Sequence, residues 1–123
     1  MKITNKPDVI NIEEDFLINE LTIKENISLF SNHKEEFIMK SDIVYKNLNN
    51  YPSNMSKSKR KLIQILIMLM NKNNTIILNN PFGDLSKKQR KQILKILDNL
   101  PKTKKVIIKN NNDIKIKNCL ISI

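Results

Sequence analysis

Thr75-Ile76-Ile77-Leu78-Asn79-Asn80-Pro81-Phe82-Gly83-Asp84-Leu85-Ser86 is the stretch on which the fold turns. Its first four residues are an unbroken run of strand length, three of them β-branched. Asn79, Asn80 and Pro81 stop it, because Asn favours turns and proline has no N–H for a ladder. A run without polar alternation predicts a strand buried on both faces, as in a parallel sheet. Behind it, Ser86-Lys87-Lys88-Gln89 has the spacing of a capping box. The helix it opens carries Ile93, Leu94, Ile96, Leu97 and Leu100 as its apolar stripe and ends near Pro101. Lys105–Ile108 reads as a second buried strand and Asn118–Ile123 as a third. Strand, helix, strand from 75 to 109 is a βαβ unit.

Upstream the pattern is helical. Ser56 is an N-cap for a helix running to about Met70. Residues 34–50 read as a further helix with Phe37, Ile38, Ile43, Val44 and Leu48 as apolar positions, broken by 47–54 with Pro52. Thr22-Ile23-Lys24-Glu25 is a capping box for a short helix to about Ser31. Val9–Ile12 is a short β-branched stretch. The expected picture is a helical first half followed by an α/β second half.

Composition narrows the function. The 123 residues are 40% hydrophobic, enough for one domain with one modest core. One Gly excludes any Gly-rich phosphate loop, both GxxxxGK[ST] and GxGxxG, within them. The lone Cys119 cannot form an internal disulfide and reads as a small buried hydrophobe, which fits the cytosol. His33 has no second ligand at metal-binding spacing. Met1–Pro7 lacks the apolar core of a signal peptide, and Leu62–Met70 is far shorter than a membrane span. The formal charge is +10, unevenly spread. Residues 1–54 carry nine acids and six lysines, a balance of −3; residues 55–123 carry sixteen bases and three acids, a balance of +13. Such asymmetry points to a polyanionic partner for the second half, or to an A- and T-rich genome that favours lysine codons.

Four segments in order bear a family resemblance. Glu20–Ile27 (ELTIKENI) is similar to the segment that follows the Q-loop of ABC-transporter ATPase domains. Met55-Ser56-Lys57-Ser58-Lys59 falls where that family has its LSGGQ signature. TIILNNPFGDLS at 75–86 coincides without a gap with the Walker B strand and D-loop. KVIIKNN at 105–111 lies where the family has its last strand and switch histidine. The resemblance implies an α/β, partial P-loop NTPase-like (ABC ATPase) fold. Its parts would be a Q-loop-like strand and loop, 1–21, a helical signature-type subdomain, 22–72, and a Walker B-like and D-loop-like α/β portion, 73–123. The likeness begins after the region that carries Walker A, so these residues resemble roughly the second half of a cassette.

By that resemblance, Asn79 stands at the Walker B aspartate position and would be a weak metal ligand, because an amide brings no charge to Mg²⁺. Asn80 stands at the catalytic glutamate; a neutral amide can orient water but cannot take its proton. Asn111 falls at the switch histidine, Ser86 at the D-loop aspartate and Glu13 near the Q-loop glutamine. Ser56, Lys57, Ser58 and Lys59 occupy the signature positions. There Ser56 keeps the hydroxyl, but Lys57 and Ser58 replace glycines and their Cβ atoms crowd a phosphate's approach. The plainer alternative leaves Asn79 and Asn80 as a strand end capping a turn, and Lys57–Lys61 as a solvated basic helix start.

Two functional readings stay open. One is a degenerate ABC-type nucleotide-binding domain without hydrolytic competence of its own, a pseudo-subunit or a remnant. It would meet ATP and Mg²⁺ only together with a complete ABC ATPase subunit, and would sit in the cytoplasm, on the inner face of the membrane where a membrane-spanning transporter subunit holds it. The other, less favoured, is a small basic module for nucleic acid or an anionic membrane through Lys57–Lys61, Lys87–Lys95 and Lys102–Lys109. No aromatic residues are interleaved with these lysines, so a base-stacking platform is absent.

Overall fold

The computed structural model describes residues 9–12, 15–31, 35–71, 75–102 and 104–109. Three parallel strands form its sheet: β1 (Val9–Ile12), β2 (Thr75–Asn79) and β3 (Lys105–Lys109), in the order β1-β2-β3. Ile76 of β2 lies level with Ile10 on one side and Val106 on the other. The helices are α1 (Ile23–Phe30), α2 (Glu36–Met39), α3 (Asp42–Tyr45), α4 (Lys57–Leu69) and α5 (Lys87–Asp98), with a 3₁₀ turn at Pro52–Asn54. None of the described helices is long and apolar enough to cross a membrane.

Helix α4 is the centre of the core. Every residue from Leu62 to Met70 is buried, as befits a helix that is apolar nearly all round. It packs on α1, α5 and β2. Gln64 is the polar exception, and its Oε1 accepts the Phe16 N–H at 3.3 Å. At the far end Ser31 Oγ donates to the Ile67 carbonyl at 3.0 Å, and Asn71 Nδ2 donates to the Phe30 carbonyl at 3.2 Å. The Phe30 carbonyl lies in the last turn of α1, where helix carbonyls lack an intrahelical partner, while the Ile67 carbonyl also accepts the Met70 N–H at 3.1 Å.

Both capping boxes form. Thr22 Oγ1 accepts from the Glu25 N–H while Glu25 Oε1 accepts from the Thr22 N–H; Ser86 and Gln89 do the same at α5. The helix expected over 34–50 is instead two four-residue helices, because Ser41 turns extended (φ −64°, ψ 146°) and its hydroxyl donates to the Ile38 carbonyl at 2.6 Å. A serine that bonds back to i−3 offers the backbone an alternative to continuing the helix. Burial of β2 and β3 on both faces is also corrected. Ile76, Leu78, Val106 and Ile108 join the helical core, whereas Thr75, Ile77 and Ile107 on the other face are only half-buried. The strand expected at 118–123 lies outside the described residues, as do His33 and Cys119.

Lys104 closes the end of the core opposite the α4 cap. Its half-buried ammonium donates to the Asn71 carbonyl just beyond α4, where a cation suits the helix dipole. Burial pushes its pKa below the ordinary 10.5, with the Glu35 charge acting in the opposite direction. The unfolded chain therefore holds this proton to higher pH than the folded one does, so this group's contribution to stability rises with pH between the lowered value and 10.5. Urea unfolding is expected to show that rise as the pH approaches 10.5, and Lys104→Gln is expected to flatten it.

Candidate functional site

The head of α4 and the head of α5 meet. Ser56 caps α4: its Oγ accepts the Lys59 N–H at 3.2 Å and lies 3.4 Å from Ser58 Oγ. Ser58 Oγ in turn receives Gln89 Nε2 from the first turn of α5 at 3.4 Å. Lys57 Nζ stands 3.9 Å from Asp84 Oδ1, in the turn that leads into α5. So Ser56, Lys57, Ser58, Lys59 and Ser86 share one small region. Ser56 remains exposed and Lys57 reaches out to solvent. Neither helix has an acid in its first turn, so Lys57, Lys59, Arg60, Lys87 and Lys88 set positive charge against the positive end of two dipoles.

Arg60 is the most closely compensated of these cations. Its side chain is 19% exposed, with Nη2 2.6 Å and Nε 2.8 Å from Asp15 Oδ2, and Nη1 2.8 Å from Asn19 Oδ1. Asp15 Oδ1 also accepts the Leu17 N–H, and Ile18 donates to Asn26 Oδ1 at 2.8 Å. Loop 15–19 has no regular structure, yet the amides of Phe16, Leu17 and Ile18 are taken by Gln64, Asp15 and Asn26. The loop is thereby latched to α4 on one side and α1 on the other.

Asn79 and Asn80 sit at the other expected position, the tip of β2. Asn79 is the last strand residue, half-buried and level with Lys109. Asn80 is exposed, adopts φ 50°, and donates its N–H to the Lys109 carbonyl. That left-handed conformation is one Asn tolerates better than most residues. It opens the turn over 81–84, with the Asn80 side-chain amide folded toward Gly83. Glu13 and Asn111, the Q-loop-like and switch-like positions, lie outside the described residues. Among the described residues no group of three His, Cys, Asp or Glu could hold a metal.

Comparison with solved structures decides the fold. A protein from Pyrococcus furiosus described as an ABC transporter (ATP-binding protein) superposes with a TM-score of 0.69 at 15% identity, over 91% of this chain and 60% of that one. The fold is that of part of an ABC-type ATPase domain. The chain spans less than two thirds of the length of that structure. No protein-family model matches the sequence, and no curated protein does. Fewer than one position in six is shared with that structure, so the likeness is one of fold and not of sequence.

Within this ABC-type fold the sequence did not single out Asn19 or Asn26, did not pair Arg60 with Asp15, and read Gln89 as a cap and not as a contact of Ser58. Arg60 reads from sequence as one more exposed cation, and nothing local ties it to Asp15, 45 positions away. Arg60→Ala is expected to lower the unfolding free energy by about 1 kcal/mol, toward the upper end for a partly exposed ion pair because the geometry is two-pronged. Denaturant titration checks the size. Faster hydrogen exchange at Leu17, with α5 amides unchanged, checks the location.

Proposed function

We propose that the chain is a degenerate ABC-type nucleotide-binding domain portion that acts as a pseudo-subunit: it pairs with a complete ABC ATPase and does not hydrolyse ATP by itself. The observation that carries this reading is Asn80, an exposed left-handed amide at the tip of β2, where the resemblance expects the catalytic carboxylate. An amide cannot accept a proton from attacking water. Asn79 beside it brings no charge to Mg²⁺, and the 123 residues contain no phosphate loop. What the chain offers instead is the exposed head of α4, Ser56 to Lys59, at the signature position. The helical portion 22–72 and the α/β portion 73–123 fall in the family's order. ATP and Mg²⁺ would then be held chiefly by the complete subunit, with a membrane-spanning transporter subunit as a further partner and the inner face of the cell membrane as the place of work.

The test mixes the chain with a complete ABC ATPase and Mg²⁺–ATP. Expected are no hydrolysis by the chain alone and association that requires nucleotide and weakens in Ser56→Ala. Hydrolysis by the purified chain, or no nucleotide-dependent association with any cognate ATPase, overturns the proposal.

A further inference from the structure

The exposed face of α5 carries cations that the pseudo-subunit reading does not use. Successive helical residues step by about 100°, which places Lys87, Lys88, Lys91 and Lys95 within an arc of about 100°. Ile93, Ile96 and Leu97 point the other way into the core. All four lysines are exposed, as is Arg90 on the flank. None of the five forms an ion pair with a described acid. Lys57 at the head of α4 extends the patch; it is 84% exposed even with Asp84 3.9 Å away. Lys87, Lys91 and Lys95 follow one another at i, i+4 and i+8, a spacing at which like charges destabilise a helix. Anions facing the stripe would relieve that repulsion.

We infer that this face docks on the phosphate backbone of double-stranded nucleic acid. Lys87 to Lys95 covers about 12 Å of helix. Over that length a DNA duplex presents about seven negative charges. The contact is with backbone alone, because reading single strands needs aromatic rings beside the cations. Among the described residues the exposed large apolar side chains are Leu29, Tyr45 and Tyr51, all in the first half of the chain. An anionic bilayer fits less well. An interfacial helix inserts its apolar face, and that face of α5 is already in the core.

The experiment titrates the full chain into a fluorescent DNA duplex of arbitrary sequence, about two helical turns long, and separately into phosphatidylserine vesicles, across a range of salt. Neutralising four or five phosphates gives log Kobs against log[salt] a slope of about −4. The triple variant Lys87→Gln/Lys91→Gln/Lys95→Gln is expected to flatten it by about 2.7. A control, Lys24→Gln/Lys40→Gln/Lys46→Gln, removes the same charge from exposed positions in the first half and is expected to leave the slope where it was. Circular dichroism confirms that both variants fold. No duplex binding at low salt, equal flattening in the control, or tighter binding to vesicles than to duplex overturns the inference. None of these outcomes involves nucleotide, so they leave the pseudo-subunit test untouched.

Discussion

Asn26→Ala is expected to lower the unfolding free energy by about 3 kcal/mol, out of a total of about 5–15 for a domain of this size. Asn26 is fully buried on α1. Its Oδ1 accepts the Ile18 N–H at 2.8 Å, and its Nδ2 donates to the carbonyls of Ile18, Leu21 and Thr22 at 3.1, 3.2 and 2.9 Å. Two of those carbonyls keep a backbone partner after truncation: Ile18 O from the Leu21 N–H and Thr22 O from the Asn26 N–H. The cost therefore falls mainly on the Ile18 amide and the Leu21 carbonyl, each half-buried and each losing its Asn26 partner. A buried polar group stripped of its partner costs about 1–3 kcal/mol. Thermal unfolding should fall by about 10 °C, and the Ile18 amide should exchange much faster. Asn26→Asp keeps the acceptor but loses both donors and buries a charge, so it is expected to be at least as damaging at neutral pH. Lys24→Ala, exposed on the same helix, should stay within about 0.5 kcal/mol. If Asn26→Ala is as mild as Lys24→Ala, the side chain does not organise loop 15–22.

The elements legible in the sequence are those whose signals are local. Thr22 with Glu25, and Ser86 with Gln89, announce their helices because a capping box needs only four residues, and both boxes form. The runs at 75–78 and 105–108 announce strands for the same reason. The break between α2 and α3 at Ser41 is not legible, because the apolar spacing from Phe37 to Leu48 fits a single helix. Side-chain latches were not legible. Asn26 reads as one of many asparagines in an Asn-rich chain, and Gln64 as an interruption in an apolar run. Their meaning depends on backbone amides of loop 15–19, brought to them only by tertiary packing. The same holds for burial of the sheet. Ile77 and Ile107 carry the same apolar residue type as Ile76 and Ile108, and only the layer above each face separates buried from half-buried. For the candidate site, sequence placed Ser56 and Asn80 at structural transitions, a helix start and a strand end. It did not show that Gln89 and Asp84 join the two helix heads, since those contacts span 31 and 27 positions.

Leu66→Ala is expected to cost about 3–4 kcal/mol, comparable to or larger than the loss at Asn26. Leu66 is fully buried in the second half of α4. Its neighbours one turn away on the same helix face, Leu62, Ile63 and Met70, are fully buried too. A helix packed on α1, α5 and β2 at once cannot shift to fill a void on one side without opening another. Truncation therefore leaves both the lost transfer free energy of the side chain and most of a cavity. Leu66→Met conserves volume and should cost less than about 1.5 kcal/mol. Tyr45→Ala, at a residue 67% exposed, should cost less than about 0.5 kcal/mol despite deleting more atoms. Urea unfolding of the three variants orders them: Tyr45→Ala nearest the parent, Leu66→Met next, Leu66→Ala far below. The separation tests the central claim about this chain. The largest share of its stability lies in the continuous buried stretch from Leu62 to Met70, and the charged helix heads contribute less per residue than that core. A Leu66→Ala midpoint close to that of Tyr45→Ala would mean that α4 is not the core helix, and the α4 head would then lose the rigid base that holds Ser56 beside α5.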